Sequence, residues 1–218
     1  AAGGQAATIS HQPPADEGWL ELLASGLTFE LSGLAPRSAP ALPPARFFYG
    51  LPHEATRFAL EPFILSPGPH IAAGAHSLPV ARVMAALAAR FAGMHGIKAV
   101  CWHPAGTWMA PDYFVRVVSA WLAGGGFPAL GLTALEREAD GDIRSHGLAF
   151  FIGQELWLDR DLHENAAAAI KLAVRIIDRL VGHGRLTSPV TIEDLHALPL
   201  AMTPERGGTV LRVRAAGS

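Results

Sequence analysis

The sequence predicts an α+β fold: a central β-sheet of mixed direction with three main helices packed on it. Three observations carry this. Apolar residues recur at helical spacing in three separate stretches. Strand-like stretches lie between them. One run, Gly147–Asp159 (GLAFFIGQELWLD), has the apolar density of a central strand and holds two polar residues, Gln154 and Glu155, in its middle.

In order, residues 1–18 are small and polar and are expected to form a flexible N-terminal tail, followed by a single α+β domain over 19–215. Trp19–Leu23 has the composition of a short helical turn, and Leu27–Leu31 alternates like a half-exposed strand. Prolines 36, 40, 43 and 44 make 35–45 an extended connector, because proline lacks an N–H and fixes φ. Phe47, Phe48 and Tyr49 form an aromatic knot.

His70–Ala75 is expected as a strand. Ser77 is placed to cap the next helix, with Pro79 in its first turn and Gly96 after its end. Val80, Val83, Met84, Leu87, Phe91 and Met94 form the apolar stripe. Ile97–Trp102 supplies the next strand, so strand, helix and strand predict a right-handed βαβ crossover with parallel pairing. Pro111 opens a second helix with Phe114, Val117, Val118 and Trp121 on its buried face, and Gly124–Gly126 stop it.

Leu130–Glu138 is the next expected strand. Asp140-Gly141 is a two-residue hairpin signal, which would set Glu138 opposite Ile143 and Leu135 opposite His146. The charges at that end (Glu136, Glu138, Asp140, Asp142, Arg144) predict a tip projecting into water. The strand then runs into Gly147–Asp159. Asp161 with Glu164 reads as a capping box for the third, long helix, lined by Ala166, Ile170, Ala173, Val174, Ile177, Leu180 and Val181 and ended by Gly182. Val190–Leu200 is a further apolar piece, and Thr209–Val213 alternates like an edge strand.

Seventeen Lys and Arg against 19 Asp and Glu give a formal net charge of −2, which argues against a broad nucleic-acid surface. No stretch approaches the roughly 20 apolar residues of a membrane-spanning helix. The single cysteine, Cys101, flanked by Val100 and Trp102, is expected to be a buried thiol and fits a reducing compartment. No basic region followed by an apolar one opens the chain, so no signal peptide is expected and a cytoplasmic location is.

The local signatures of phosphate-binding loops, dinucleotide folds, nucleophile elbows and zinc helices are absent. Chemistry would need residues gathered from distant stretches. His70 and His76 would share a face of an unbroken strand, with His103 at the end of the neighbouring one, which makes these three the metal candidates against a plain reading as loop and surface histidines. Glu155 is the candidate acid or base, with His146 beside it. A carboxylate in an apolar strand either takes a partner or takes a proton, so the same residue also reads as a structural acceptor. Extended geometry places Phe150, Ile152, Gln154, Leu156 and Leu158 on one face and Phe151, Glu155 and Trp157 on the other. Trp102, His103 and Trp108 surround a Pro/Gly turn (WHPAGTW) and, with Gln154, are the candidate binding residues. Such aromatics supply contact area or plug a core.

The order of PHIAAGAHS, PVARVMAALAARF, AVCWHPAG, PDYFVRVVSAWL, SHGLAFFIGQELWL and a final long helix resembles the bacterial family catalogued as domain of unknown function 4261, over Phe47 to Val213. The chain departs from that pattern at His146, where a threonine is expected before Gly147. The resemblance implies no activity and supplies no catalytic residues. Two readings follow from the sequence. One is a non-catalytic protein-binding or accessory module of a bacterial multi-protein system, with a protein partner and no cofactor. The other is a hydrolase-like or metal-assisted enzyme using Glu155 with nearby histidines.

Overall fold

The computed structural model describes residues 7–35, 40–52, 54, 59–162, 164–193 and 199–217. Residues 1–6 of the expected tail and 36–39 of the expected connector lie outside these. Helices and strands are mixed, as expected of an α+β chain, but the strands form three sheets rather than one central sheet, of four, six and three strands. Two compact units result: Ala1–Val100 with Met109–Gly124, and Cys101–Trp108 with Gly125–Ser218.

The first unit holds an antiparallel sheet in the order β1 (Thr8–His11), β2 (Trp19–Ala24), β3 (Leu27–Ser32), β5 (Ile64–Pro67), with β4 (Phe47–Tyr49) outside it. Two expectations fail here. Part of the supposed tail is β1, and Trp19–Leu23 is strand rather than helical turn. The reason is pairing: Leu22 sits opposite Phe29 and Leu20 opposite Leu31, so β2 gains a buried apolar face from β3 that helical geometry would not give it. His70–Ala75 is not a strand either; Ala72–Gly74 form a 3-10 turn. The strand before the first helix is β5, which belongs to a different sheet from Val100–Trp102 (β6) and Thr107–Met109 (β7), so the expected βαβ crossover does not exist.

The helices are where the periodicity put them. α1 (Leu78–Ala92) buries Val80, Met84 and Leu87, while Met94 lies past its end and is 59% exposed. α2 (Pro111–Leu122) buries Phe114, Val118 and Trp121. Arg82 of α1 ties the two together. It donates to the carbonyls of Trp121 (3.4 Å) and Leu122 (3.1 Å), two of the last carbonyls of α2, and lies over the Trp121 ring.

The second unit holds a short helical turn, α3 (Ala129–Leu132), where the expected strand was to begin, and is built on the six-stranded sheet β11 (Val190–Glu193), β12 (Pro199–Glu205), β13 (Val210–Ala215), β10 (Glu155–Leu158), β9 (Ile143–His146), β8 (Ala134–Arg137). Every pairing is antiparallel except β10 with β13. The sheet is therefore two three-stranded meanders joined along one parallel seam. β13, expected at an edge, is central. α5 (Ala166–His183) buries Ala169, Leu172, Ala173, Ile176, Ile177, Leu180 and Val181, and the unit's core also takes in Leu156, Leu158, Leu211 and Val213. At about 1.5–3 kcal/mol for each fully buried large aliphatic side chain, this interior is the main stabilising element of the unit. The cap of α5 is Asn165, whose side chain accepts from Ala168 N–H at 3.0 Å. Asp161 instead falls in a 3-10 turn, Arg160–Leu162.

Among the described residues, no helix is long and apolar enough to cross a membrane.

Candidate functional site

The run Gly147–Asp159 is broken, not one strand. Gly147 is left-handed at φ 84°, Leu148–Ile152 make one helical turn (α4), Gly153 is left-handed at φ 72°, and only then does β10 begin. Two glycines that tolerate positive φ thus turn the apolar density into a compact corner. Gly147 also allows close approach: a Cβ there would lie 2.7 Å from the Cβ of Ala105.

Glu155 holds this corner. Its carboxylate accepts from Ser145 Oγ (2.5 Å) and from the backbone N–H groups of Gly147 (2.9 Å), Ala149 (3.2 Å) and Leu148 (3.3 Å). Those amides open α4 and have no partner within it, so the carboxylate serves as their cap from the following strand. Ser145 is itself fixed, because its Oγ accepts from Leu156 N–H at 2.7 Å. His146 turns to Glu136, with Nε2 2.7 Å from Oε2.

Gln154 is fully buried and serves as a staple. Its Nε2 donates to the carbonyls of Leu186 (2.9 Å) and Gly208 (3.0 Å), and its Oε1 accepts from Leu186 N–H (2.8 Å). The predicted alternation holds from here: Gln154, Leu156 and Leu158 are fully buried, and Glu155 and Trp157 half-buried.

The aromatic candidates separate. Trp108 is 2% exposed and belongs to the core. Trp102 is half-buried, edge-on to Phe150 (5.3 Å between ring centroids) and stacked with Phe151 (6.0 Å). Phe151 also meets Phe127 edge-on at 5.0 Å. α4 therefore presents two phenylalanines to Trp102, both half-exposed. The Trp102 indole N–H is buried and has no acceptor among the described residues. His103 is exposed in the 3-10 turn His103–Ala105. His70 and His76 are exposed, and without a strand under them the shared-face argument for metal ligation is gone. Among the described residues no three His, Cys, Asp or Glu side chains are grouped to hold a metal. Burial pushes the Cys101 thiol up to about 12, so it carries almost no thiolate at neutral pH.

Sequence reasoning missed one cluster. The hairpin tip does not project all its charges into water: Asp142 is 5% exposed. The reason is the turn. Glu138 O accepts from Gly141 N–H (3.0 Å), Glu138 N–H donates to Asp142 O (2.9 Å), and Gly141 is left-handed at φ 95°. This is a three-residue loop with a glycine bulge, not a two-residue turn. The register consequently slips by one: Arg137 faces Ile143 and Leu135 faces Ser145. Asp142 then accepts from Arg160 N–H (2.9 Å), Trp157 Nε1 (2.7 Å) and Arg212 (2.8 Å). Burial by itself would raise its carboxyl, but these donors and the Arg212 charge outweigh it and hold the group below the ordinary carboxylate value. Arg212 also pairs with Asp159, and Arg214 with Asp159 and Glu205. The signal in the sequence was the alternation of Arg212 and Arg214 with Leu211 and Val213, which marks a strand with a charged face.

No family model, curated protein or solved structure matches the chain.

Proposed function

We propose that this chain is a non-catalytic protein-binding module, an accessory of a bacterial multi-protein system acting in the cytoplasm, and that the motif order it shares with the domain of unknown function 4261 family reflects common descent. One observation carries the reading: the half-exposed cluster of Trp102, Phe150 and Phe151 on a turn held rigid by Glu155. Rigid aromatics lose little side-chain entropy on contact and bury large areas, which is the chemistry of interface anchors. The carboxylate that would serve as an acid or base is already engaged by four donors, which favours a structural role for it.

The test is affinity isolation of the tagged chain from its own host, in parallel with a Phe150→Ser/Phe151→Ser variant whose fold is checked by circular dichroism. A stoichiometric protein partner that the variant loses supports the reading. A wild-type chain that elutes alone, or a partner retained equally by the variant, overturns it.

A further inference from the structure

We propose that the outer face of the six-stranded sheet carries a phosphate-binding site formed by Arg144 and Arg206 at Trp157, independent of the aromatic cluster at α4. Three guanidinium groups converge on the Trp157 ring: Arg206 at 4.8 Å, Arg212 at 4.9 Å and Arg144 at 5.7 Å from its centroid. Stacking on an indole favours each of them, but three like charges at one ring repel unless compensated. Arg212 is compensated by Asp142 and Asp159. Arg144 and Arg206 have no carboxylate partner among the described residues, and the Nε–H of Arg144 is buried without an acceptor.

Two further features point the same way. Arg206 is one of two non-glycine residues with positive φ among the described residues, at 50°, and it is followed by Gly207 at 68° and Gly208 at 81°. A left-handed position suits glycine or asparagine, so an arginine there holds a strained backbone, of the kind that collects at ligand sites. The loop is also pinned. Gly208 O accepts from both Gln154 Nε2 (3.0 Å) and Arg185 (2.9 Å), so Arg206 is presented from a fixed base. Trp157 is pinned in turn through its indole N–H to Asp142.

Arg144 and Arg206, with no carboxylate within ion-pair distance among the described residues, leave guanidinium donors free for an anionic group beside Arg212, which Asp142 and Asp159 hold. A phosphate monoester carries close to two negative charges at neutral pH, and its oxygens fit the guanidinium fork.

The test is nuclear magnetic resonance of the Trp157 indole N–H, assigned with Trp157→Phe, during titration with inorganic phosphate or phenyl phosphate at constant ionic strength. The expected result is a saturable shift with at least one probe. Saturation by inorganic phosphate alone assigns the free ion; tighter binding of phenyl phosphate assigns an ester. Affinity should fall at least tenfold in Arg144→Gln and in Arg206→Gly and persist in Arg214→Gln. Arg206→Gly relaxes the left-handed position, so its thermal midpoint is expected to hold or rise, which separates lost binding from lost folding. No saturable shift with either probe, or equal affinity in Arg206→Gly and wild type, overturns the proposal.

Discussion

Ser145 stands between Glu155 and Leu156: its hydroxyl donates to the Glu155 carboxylate at 2.5 Å and accepts from the Leu156 amide at 2.7 Å. A single buried serine thereby links the strand backbone to the side chain that caps the preceding turn. Glu155→Ala removes the acceptor for this hydroxyl and for three amides. It should destabilise the protein by about 3 kcal/mol, with Glu155→Gln costing less because one oxygen remains. Urea denaturation of both variants checks this, and equal stabilities for wild type and Glu155→Ala would refute the capping role.

Gln154 makes three hydrogen bonds to backbone with no water-exposed atom to fall back on. Gln154→Leu keeps the volume and strands the Leu186 N–H and carbonyl, while the Gly208 carbonyl keeps its Arg185 donor, with an expected loss of about 2–4 kcal/mol. Amide hydrogen exchange should accelerate at Leu186 beyond the change in global stability.

Gly147 and Gly182 predict opposite responses to alanine. At Gly147 the new Cβ would meet Ala105 within 3.0 Å of three atoms, at φ 84°, so about 2–4 kcal/mol should be lost. At Gly182, inside α5, nothing lies within 4 Å, and helix propensity predicts a gain of roughly 0.5–1 kcal/mol. Thermal midpoints of the two variants should move in opposite directions.

Asp142 sets an acid limit. Its folded value lies below the ordinary 3.8, so the folded state holds the proton less readily than the unfolded chain. The stability this contributes is fully present above the ordinary value and is lost as pH falls through the depressed one. Asp142→Asn should flatten the acid limb of a denaturation midpoint measured from about pH 6 to about pH 2. An unchanged slope there would remove Asp142 from the account.

The helices were legible because their stripes are local: Val80, Met84 and Leu87, or Phe114, Val118 and Trp121, declare a buried face whatever they pack against. The sheets were not, because a strand's neighbours are set by distant residues. Thr209–Val213 alternates like an edge, yet the strand it belongs to, β13, lies between β12 and β10. Trp19–Ala24 acquires its strand character from Leu27–Ser32 and Thr8–His11. For the site, the polar interruption at Gln154 and Glu155 was visible, and so was the choice between structural and chemical roles. What resolved their contacts was geometry: two left-handed glycines and a bulge at Gly141 that slipped the hairpin by one residue.

The parallel seam between β10 and β13 also dictates an order of assembly. β8–β9–β10 and β11–β12–β13 each pair strands that are consecutive in sequence, so each meander can form as its residues leave the ribosome. Their union waits for α5 and for the second meander to be complete, since Glu155 finds its partner only at Val210. Until then Leu156 and Leu158 stand at an open edge, and this is the interval in which a newly made chain is most exposed to chaperones, proteases and its own copies.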